Sequence, residues 1–360
     1  MRLKNLKLLN YRNCTELSLD FDYNKIIIIG KNAQGKTNIL ESIYFLSALK
    51  SPRTSNIKDF VKFGEKNFKI EGELFKSDTD ILLEVDYELN KTKSVKLNGL
   101  KTTPKNYKTA LNTVLFSTQD LLLLRGSPQD RRDWLDSAIS QIYPTHDERL
   151  SKYNKIRIQK NNLLKEEKVN FDLLDVFNEQ LVITGSNIIF TRQKFLSELK
   201  KFALNKYEGI SSKEKFSFEY SFPHSEIEDI AEALRKEISE RQSEELARHQ
   251  ACVGPHRDDI LFSIDGNDST KFASQGQQRT IVLALKLAEI ELIQSKKGYS
   301  PVLLLDDVLA ELDDVRQNYL LKSISNDIQT IITSVDTLLF EDNFLQNVKI
   351  YKISNGVLVD

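Results

Sequence analysis

The sequence predicts an α/β protein: a mixed sheet built around a phosphate-binding loop, with a helical lobe inserted into it. Three observations support this fold class. An apolar strand, a glycine-bounded loop and a helix follow one another over residues 25–40. Alternating apolar and polar residues over 68–97 are typical of antiparallel strands. From about 120 to 250, apolar residues recur with a helical period and glycines are few.

The loop at residues 30–37 matches the pattern G-x-x-x-x-G-K-[ST] through Gly30, Gly35, Lys36 and Thr37. Four consecutive isoleucines precede it, as expected of a parallel strand that is covered on both faces. Glycines let successive N–H groups converge on an anion, and the following helix adds the positive end of its dipole. We expect Lys36 to reach the β- and γ-phosphates of a nucleoside triphosphate and Thr37 to bind Mg²⁺.

Composition excludes several classes of protein. A chain of 360 residues with 40% hydrophobic and 29% charged residues suits a globular protein of about two domains. The net charge of −1 means that any contact with DNA must come from a local basic patch. Cys14 and Cys252 form no disulfide framework. Without a signal-peptide core or an apolar run of membrane-spanning length, we expect a cytoplasmic protein with no membrane association.

The helical lobe is basic. Two amphipathic helices are predicted over 146–167 and 173–206, and a third over 227–250. Their cations are either the solvated faces of helices or a patch that binds DNA, together with Arg131 or Arg132, and both interpretations stay open. These cations are Lys152, Lys155, Arg157, Lys160, Lys165, Arg192, Lys194, Lys200 and Lys201. The spacing of His249, Cys252 and His256 fits no closed zinc site, so a metal site there is not favoured.

A second phosphate-competent helix start is predicted at residues 274–277. Ser274 and Gln277 have the spacing of a capping box, and Gly276 would let an anion approach the first-turn N–H groups. An ordinary capped helix is the alternative.

The apolar strand at 301–305 ends in two acids, Asp306 and Asp307. Adjacent carboxylates that close an apolar strand are costly unless they face a cation or a reacting group. Asp306 suits an acid that holds Mg²⁺ with Thr37, and Asp307 suits a group that orients the attacking water.

The order of these segments resembles the ATP-binding-cassette heads of the SMC and Rad50 class and, more narrowly, the bacterial RecF family. Segments over nearly the whole chain carry the resemblance, namely 30–38, Gly126-Ser127-Pro128 with Arg131-Arg132, 254–259, 274–279, and 305–307 through 311–313. It implies an ABC-type P-loop ATPase head without long coiled-coil arms. It also implies two lobes: 1–118 with 300–360 as ATPase lobe I, bearing the Walker A and B strands, and 119–299 as a mainly helical lobe II that carries the signature motif.

The resemblance also implies roles for individual residues. Asp307 and Gln119 would act on the attacking water, and Thr37 and Asp306 would hold the metal. In the family's ATP-bound dimer, Ser274 and Gly276 of one subunit would contact the γ-phosphate held by Lys36 of the other. Arg12 is either a solvated turn residue or, as the family pattern implies, a group near the phosphates. The implied nucleotide-binding residues are Gly30, Lys31, Asn32, Ala33, Gln34, Gly35, Lys36, Thr37, Asn38, Arg12, Ser274, Gly276 and Gln277.

The function implied is that of an ATP-dependent, DNA-binding recombination mediator. Such a protein dimerises with ATP on duplex DNA and on single/double-strand junctions. It acts in gap repair, recombinase loading, replication-fork maintenance and SOS induction, with RecR and RecO type mediators as partners. Asp307 stands where transporters and SMC heads carry Glu, and Thr333-Ser334 replace the switch histidine. A carboxylate that is one methylene shorter reaches the water less well, so we expect a slow DNA-dependent ATPase.

Two other functions stay open on the sequence. The chain could be the ATPase subunit of an ABC transporter, which shares the loops but seldom carries such a basic helical lobe. It could also be a DNA-binding structural protein that keeps ATP without hydrolysing it. A GTPase is disfavoured, because the sequence lacks an N-K-x-D base-reading motif.

Overall fold

The computed structural model describes residues 1–340 and 342–359, which form two compact units. Unit 1 comprises Met1–Asp120 and Val282–Asp360, and unit 2 comprises Leu121–Ile281. Unit 2 lies within 119–299, the stretch expected to form the helical lobe, and the boundaries of the two lobes stay a prediction.

The described strands are β1 (Arg2–Tyr11), β2 (Cys14–Asp20), β3 (Lys25–Ile29), β4 (Asn67–Lys76), β5 (Thr79–Glu88), β6 (Ser94–Leu97), β7 (Leu100–Lys101), β8 (Thr113–Ser117), β9 (Phe216–Tyr220), β10 (Ile260–Ile264), β11 (Asn267–Asp268), β12 (Val302–Asp306), β13 (Thr330–Ser334), β14 (Val348–Ser354) and β15 (Val357–Val359). The described α-helices are α1 (Lys36–Ala48), α2 (Pro104–Tyr107), α3 (Leu122–Arg125), α4 (Pro128–Ile142), α5 (Thr145–Leu163), α6 (Phe171–Ile210), α7 (Ile227–Glu240), α8 (Gln242–Arg248), α9 (Ser269–Phe272), α10 (Gln275–Lys297), α11 (Asp314–Ser323) and α12 (Asp342–Leu345). Short 3-10 turns occupy Ile57–Phe60, Thr118–Leu121 and Leu309–Glu311.

Unit 1 contains two sheets. One is antiparallel, in the order β2-β1-β4-β5-β6-β7. The other has the order β15-β14-β3-β13-β12-β8 and is parallel except for the β14–β15 hairpin. Helix α1 packs against strands of both sheets, and its apolar residues join theirs in one buried core. The predicted fold class, a mixed-sheet α/β core with an inserted helical lobe, is confirmed.

Parallel strands end at a common edge, and the register of unit 1 sets which residues meet there. Ser334 of β13 lies opposite Ile29 of β3, and Asp306 of β12 lies between Thr333 and Ser117. The phosphate loop therefore leaves β3 at the edge where the acidic strand ends. Ligands of open α/β sheets bind at this carboxyl edge.

Unit 2 is a helical lobe with a small antiparallel sheet in the order β11-β10-β9. The helix predicted over 227–250 is wrong as a single element, because it divides into α7 and α8 at Arg241 and ends before His249. His249 adopts a left-handed conformation with φ 51°, which stops the helix. In the described residues, no helix is both long and apolar enough to span a membrane.

Candidate nucleotide site

The phosphate loop curls around the ammonium group of Lys36. The Nζ atom donates hydrogen bonds to the carbonyl oxygens of Gly30 at 2.7 Å and Lys31 at 3.2 Å. Lys36 is the first residue of α1 and only 3% exposed, so it is not a surface lysine. The carbonyls at the start of the loop point toward Lys36, and the loop therefore closes over the aliphatic part of this side chain. The ammonium group is thereby held where a phosphate would enter.

At both glycines of the loop, another group of the protein lies too close for a residue with a Cβ atom. A Cβ on Gly30 would lie 2.4 Å from the carbonyl oxygen of Ile353, with which it would clash. Gly35 has φ +108°, and a Cβ there would lie 2.8 Å from the side chain of Asn13. These contacts explain why this chain carries glycine at positions 30 and 35.

Gln34 ties the loop to the β14–β15 hairpin. Its side-chain oxygen accepts a hydrogen bond of 2.7 Å from the backbone N–H of Asn355, and its carbonyl accepts one of 2.8 Å from Gly356. Gln34 therefore supports the loop from behind. The neighbouring Lys31, Asn32 and Ala33 are exposed at the tip of the loop.

The metal-binding residues predicted from sequence come together in unit 1. The hydroxyl of Thr37 donates to Oδ1 of Asp306 at 3.0 Å, and the hydroxyl of Thr333 donates to the same oxygen at 2.9 Å. Burial raises the pKa of Asp306, and the two hydroxyl hydrogen bonds oppose this shift. A carboxylate beside hydroxyl oxygens is the hard-oxygen chemistry that suits Mg²⁺.

Asp307 leaves the sheet in a left-handed conformation with φ 54°. Its backbone N–H donates to the Thr333 hydroxyl at 2.9 Å, so one threonine fixes both acids. Sequence reasoning placed Thr333 only in the region of the missing switch histidine. The available signal was a hydroxyl at the carboxyl end of a buried strand.

Gln119 is exposed in the 3-10 turn that follows β8. Ser117, at the end of β8, pairs in register with Asp306, so this turn starts at the same sheet edge as the two acids. Asp120 accepts a hydrogen bond of 2.7 Å from the Ser117 N–H and forms a 2.8 Å ion pair with buried Lys286 of α10. The turn that carries Gln119 is thus anchored, and no local sequence pattern indicates this role of Lys286.

Arg12 forms a two-pronged ion pair with Glu41, at 2.9 Å and 2.7 Å. Its side chain also donates to the carbonyl of Asp59 at 2.9 Å and lies over the ring of Phe60. Arg12 is therefore not simply a solvated turn residue. Glu41, which follows Thr37 by one helical turn, was missed because it looks like an ordinary helical glutamate.

The predicted capping box of α10 is present in unit 2. The N–H of Ser274 donates to Oε1 of Gln277 at 2.7 Å, and the N–H of Gln277 donates to the Ser274 hydroxyl at 3.2 Å. The Gln277 amide also donates to Glu214 at 2.8 Å. Ser274 is exposed, and Gly276 is partly exposed one residue into the helix.

Several cations named as candidates for contact with DNA are buried ion-pair partners instead. Arg131 pairs with Asp259 at 2.6 Å, and Arg192 pairs with Asp136 at 2.7 Å. Lys160 is fully buried against Glu245 at 2.5 Å. Because they are buried, these residues form neither a solvated helix face nor part of an exposed patch, and the same holds for Arg132, which donates to the carbonyl of Asp258 at 2.6 Å.

The unfavoured metal candidates bond to other groups of unit 2. His249 bonds to the carbonyl of Leu164, and His256 bonds to the hydroxyl of Tyr153 and the carbonyl of Ala251. Within residues 1–340 and 342–359, no cluster of three or more His, Cys, Asp or Glu side chains could hold a metal ion.

The chain is similar to known proteins over nearly its whole length. Residues 2–358 match the family described as the RecF/RecN/SMC N-terminal domain. The Streptococcus gordonii protein named DNA replication and repair protein RecF is 43% identical over 361 residues, covering 99% of this chain and 99% of that relative.

Solved structures give the same result. A structure described as the recombination mediator protein RecF-ATP in the RecFOR pathway superimposes with a TM-score of 0.91 and 36% identity, covering 99% of this chain and 96% of that chain. A crystal structure of an Smc head bound to the winged-helix domain of ScpA has a TM-score of 0.57 at 16% identity, covering 99% of this chain and 96% of that one, and shares the fold. With this phosphate loop, this acid-bearing strand and these matches, the chain belongs to the RecF family of ABC-type ATPase heads.

Proposed function

We propose that the protein is an ATP-dependent, DNA-binding recombination mediator that dimerises on DNA when it holds ATP. The observation that carries this proposal is the cluster in unit 1 in which Thr37 and Thr333 both bond to Asp306. Beside it, the loop that contains Lys36 offers the cation and N–H groups that a triphosphate needs. The proposed nucleotide-binding residues are those of 30–38 with Arg12, and from a second subunit Ser274, Gly276 and Gln277.

Thr37 and Asp306 fit the first protein ligands of Mg²⁺. Both contribute oxygen atoms, and their hydrogen bond of 3.0 Å places them close enough to share one small ion. When bound with ATP, the ion would neutralise charge on the β- and γ-phosphates. Asp307 and Gln119, at the same sheet edge, would position the attacking water.

Turnover by this site should be slow. Asp307 carries a side chain one methylene shorter than glutamate, and its backbone is fixed by the bond to Thr333. A short carboxylate on a fixed backbone has little freedom to approach the attacking water closely. Slow hydrolysis suits a protein in which loss of ATP ends the dimeric state. We therefore propose a slow DNA-dependent ATPase whose hydrolysis releases the dimer.

The names of similar proteins support the wider role. The Streptococcus gordonii relative is named for DNA replication and repair, and the solved structure for recombination mediation in the RecFOR pathway. On this basis we propose duplex DNA and single/double-strand junctions as ligands and RecR and RecO type mediators as partners. The roles would include gap repair, recombinase loading, replication-fork maintenance and SOS induction in the cytoplasm.

A variant that separates binding from assembly tests the proposal. Ser274→Arg should leave ATP affinity nearly unchanged in calorimetry, because Lys36 and Thr37 are untouched. It should abolish the ATP-dependent dimer in light scattering, because a long cation would cover the N–H groups at the start of α10. A Ser274→Arg protein that dimerises normally would reduce this segment to a plain helix cap.

Asp307→Asn should have the opposite effect. It keeps Thr37 and Asp306, so Mg²⁺-ATP binding and the dimer should persist, whereas hydrolysis should slow by at least about tenfold. Light scattering with time after ATP addition gives the lifetime of the dimer. A dimer that decays as fast as the parent's would contradict the role given to Asp307.

A further inference from the structure

Glu41 has an unusual environment for a helical glutamate. Its side chain is 1% exposed, and two oxygens accept hydrogen bonds from several donors. Oε1 accepts from Arg12 at 2.7 Å and from the Ser51 hydroxyl at 2.6 Å. Oε2 accepts from Arg12 at 2.9 Å and from the Tyr11 hydroxyl at 3.2 Å, and Arg53 approaches it at 3.5 Å. A buried carboxylate persists only where such partners offset its desolvation.

The position of Glu41 connects these partners to the phosphate loop. It lies one helical turn after Thr37, on the same face of α1. The pair with Arg12 is bidentate, which fixes the plane of the guanidinium as well as its place. The Ser51 hydroxyl that Glu41 holds also accepts the N–H of Arg53 at 3.0 Å, so the carboxylate orders the segment that carries the second arginine.

Arg53 is held more loosely and reaches the loop itself. Its side chain is 37% exposed, and its guanidinium donates to Oδ1 of Asn38 at 2.7 Å. Asn38 donates to Asn13 at 2.8 Å, and the Asn13 side chain lies against Gly35. An unbroken set of contacts therefore runs from Glu41 through Arg53 to the turn of the phosphate loop.

We infer that Glu41 is a positioning residue, which sets the guanidinium groups of Arg12 and Arg53 beside the phosphate loop for use on the phosphates of the nucleotide. The inference rests on the proposed ATP site and adds a residue that acts through two others. Arg12 stays on the carboxylate through two short bonds. Arg53, with one long contact to Glu41 and a partly exposed side chain, is the arginine that can turn toward a ligand.

A second buried carboxylate in unit 1 supplies the comparison. Glu84 in β5 is 7% exposed and lies 3.2 Å from Lys69 and 3.9 Å from Lys96. Both partners lie on strands of the antiparallel sheet, β4 and β6, and neither belongs to the phosphate loop. Loss of this carboxylate removes a largely buried acid from its ion pairs without touching Arg12 or Arg53. Glu84→Gln is therefore the matched control.

The test combines Glu41→Gln with Arg53→Lys in a double-variant cycle. Calorimetry measures the affinity for ATP and for inorganic tripolyphosphate, and thermal unfolding without ligand measures stability. Each single variant should weaken both ligands by about tenfold or more, because charge-assisted hydrogen bonds lose their geometry. The double variant should bind each ligand no more weakly than the weaker-binding single variant does, since both changes remove the same arrangement. Glu84→Gln should bind both ligands as the parent does.

The outcomes separate the explanations. Additive losses in the double variant, or an unchanged affinity for tripolyphosphate in Glu41→Gln, would overturn the positioning role and leave Glu41 as a packing residue. If Glu41→Gln does not fold, Arg53→Lys decides alone, because normal binding by that variant overturns the inference. A parent protein that binds neither ligand would instead refute the ATP site itself.

Discussion

Lys36 shows how a single side chain serves both the loop and its ligand. In the structure described above, the ammonium bonds to two carbonyls of the loop and is nearly covered. When no phosphate is bound, the lysine supplies hydrogen bonds that these carbonyls would otherwise lack. Lys36 is therefore a structural group of the loop as well as its proposed phosphate-binding residue.

Lys36→Ala should abolish measurable binding of ATP in calorimetry, since the loop loses its cation. It should also lower the free energy of unfolding by about 1 kcal/mol, because two carbonyls lose their donor. The matched control is Lys7→Ala, which removes an exposed lysine of β1 in the same unit, outside the phosphate loop. The assignment fails if Lys36→Ala binds ATP as tightly as the parent protein does.

The residues of this site that were predictable are those within local patterns. Lys36 and Thr37 follow from the loop motif, and Asp306 follows from its place at the end of an apolar strand. Thr333 and Glu41 were not assigned, because their importance lies in partners far away in the sequence. Thr333 acts through its hydrogen bond to Asp306, and Glu41 acts through its ion pair with Arg12. Neither contact can be recognised from composition or hydrophobic periodicity.

Helices α4 and α6 of unit 2 are joined by a buried ionic cluster. Asp136 of α4 bonds to Arg192 of α6 at 2.7 Å and 2.8 Å and to the Nε2 atom of His146 at 2.9 Å. Burial alone would raise the pKa of Asp136, but Arg192 and His146 outweigh it, so the pKa lies well below its usual range. Arg192 also donates to the carbonyl of Pro255, which ties in the segment at 254–259.

Asp136→Ala should destabilise the protein by about 3–5 kcal/mol, because the Arg192 guanidinium stays buried without its counter-charge. Urea unfolding, followed by a probe in unit 2, measures the change. Glu179→Ala is the control, since it removes an exposed ion pair with Arg235 and should cost less than about 1 kcal/mol. Equal losses in the two variants would contradict this account.

Most elements were predictable because their periods are local. The strands β4, β5 and β6 occupy the alternating stretch at 68–97, and β3 contains the four isoleucines that precede the phosphate loop. The break between α7 and α8 was not predicted, since the sequence there carries neither glycine nor proline. The cations of the helical lobe were misjudged for a related reason. Helical period shows which face a lysine is on, but not whether an acid from another element covers that face.

The net charge of −1 leaves contact with DNA to a restricted set of exposed cations. With Lys160, Arg131, Arg132 and Arg192 buried, the exposed candidates from the predicted set in the helical lobe are Lys152, Lys155, Lys165, Lys194 and Lys201.

Binding to duplex DNA should weaken steeply with salt, and the double variant Lys152→Gln/Lys155→Gln should reduce the salt slope by about 2. Fluorescence anisotropy at several salt concentrations gives the slope. Lys236→Gln is the control, because this exposed lysine of α7 already faces Glu240 at 4.0 Å. An affinity that is flat between low and moderate salt would rule out binding dominated by phosphate contacts.

The link between Gln34 and the β14–β15 hairpin bears on how the protein is made. The loop begins at Gly30, but its backing comes from Ile353, Asn355 and Gly356, near the other end of the chain. When the ribosome has translated the phosphate loop, the residues of the β14–β15 hairpin that support it have therefore not yet been synthesised. We expect nascent chains to remain unable to capture nucleotide until residue 356 has left the exit tunnel, so that incomplete products do not enter the ATP-dependent cycle.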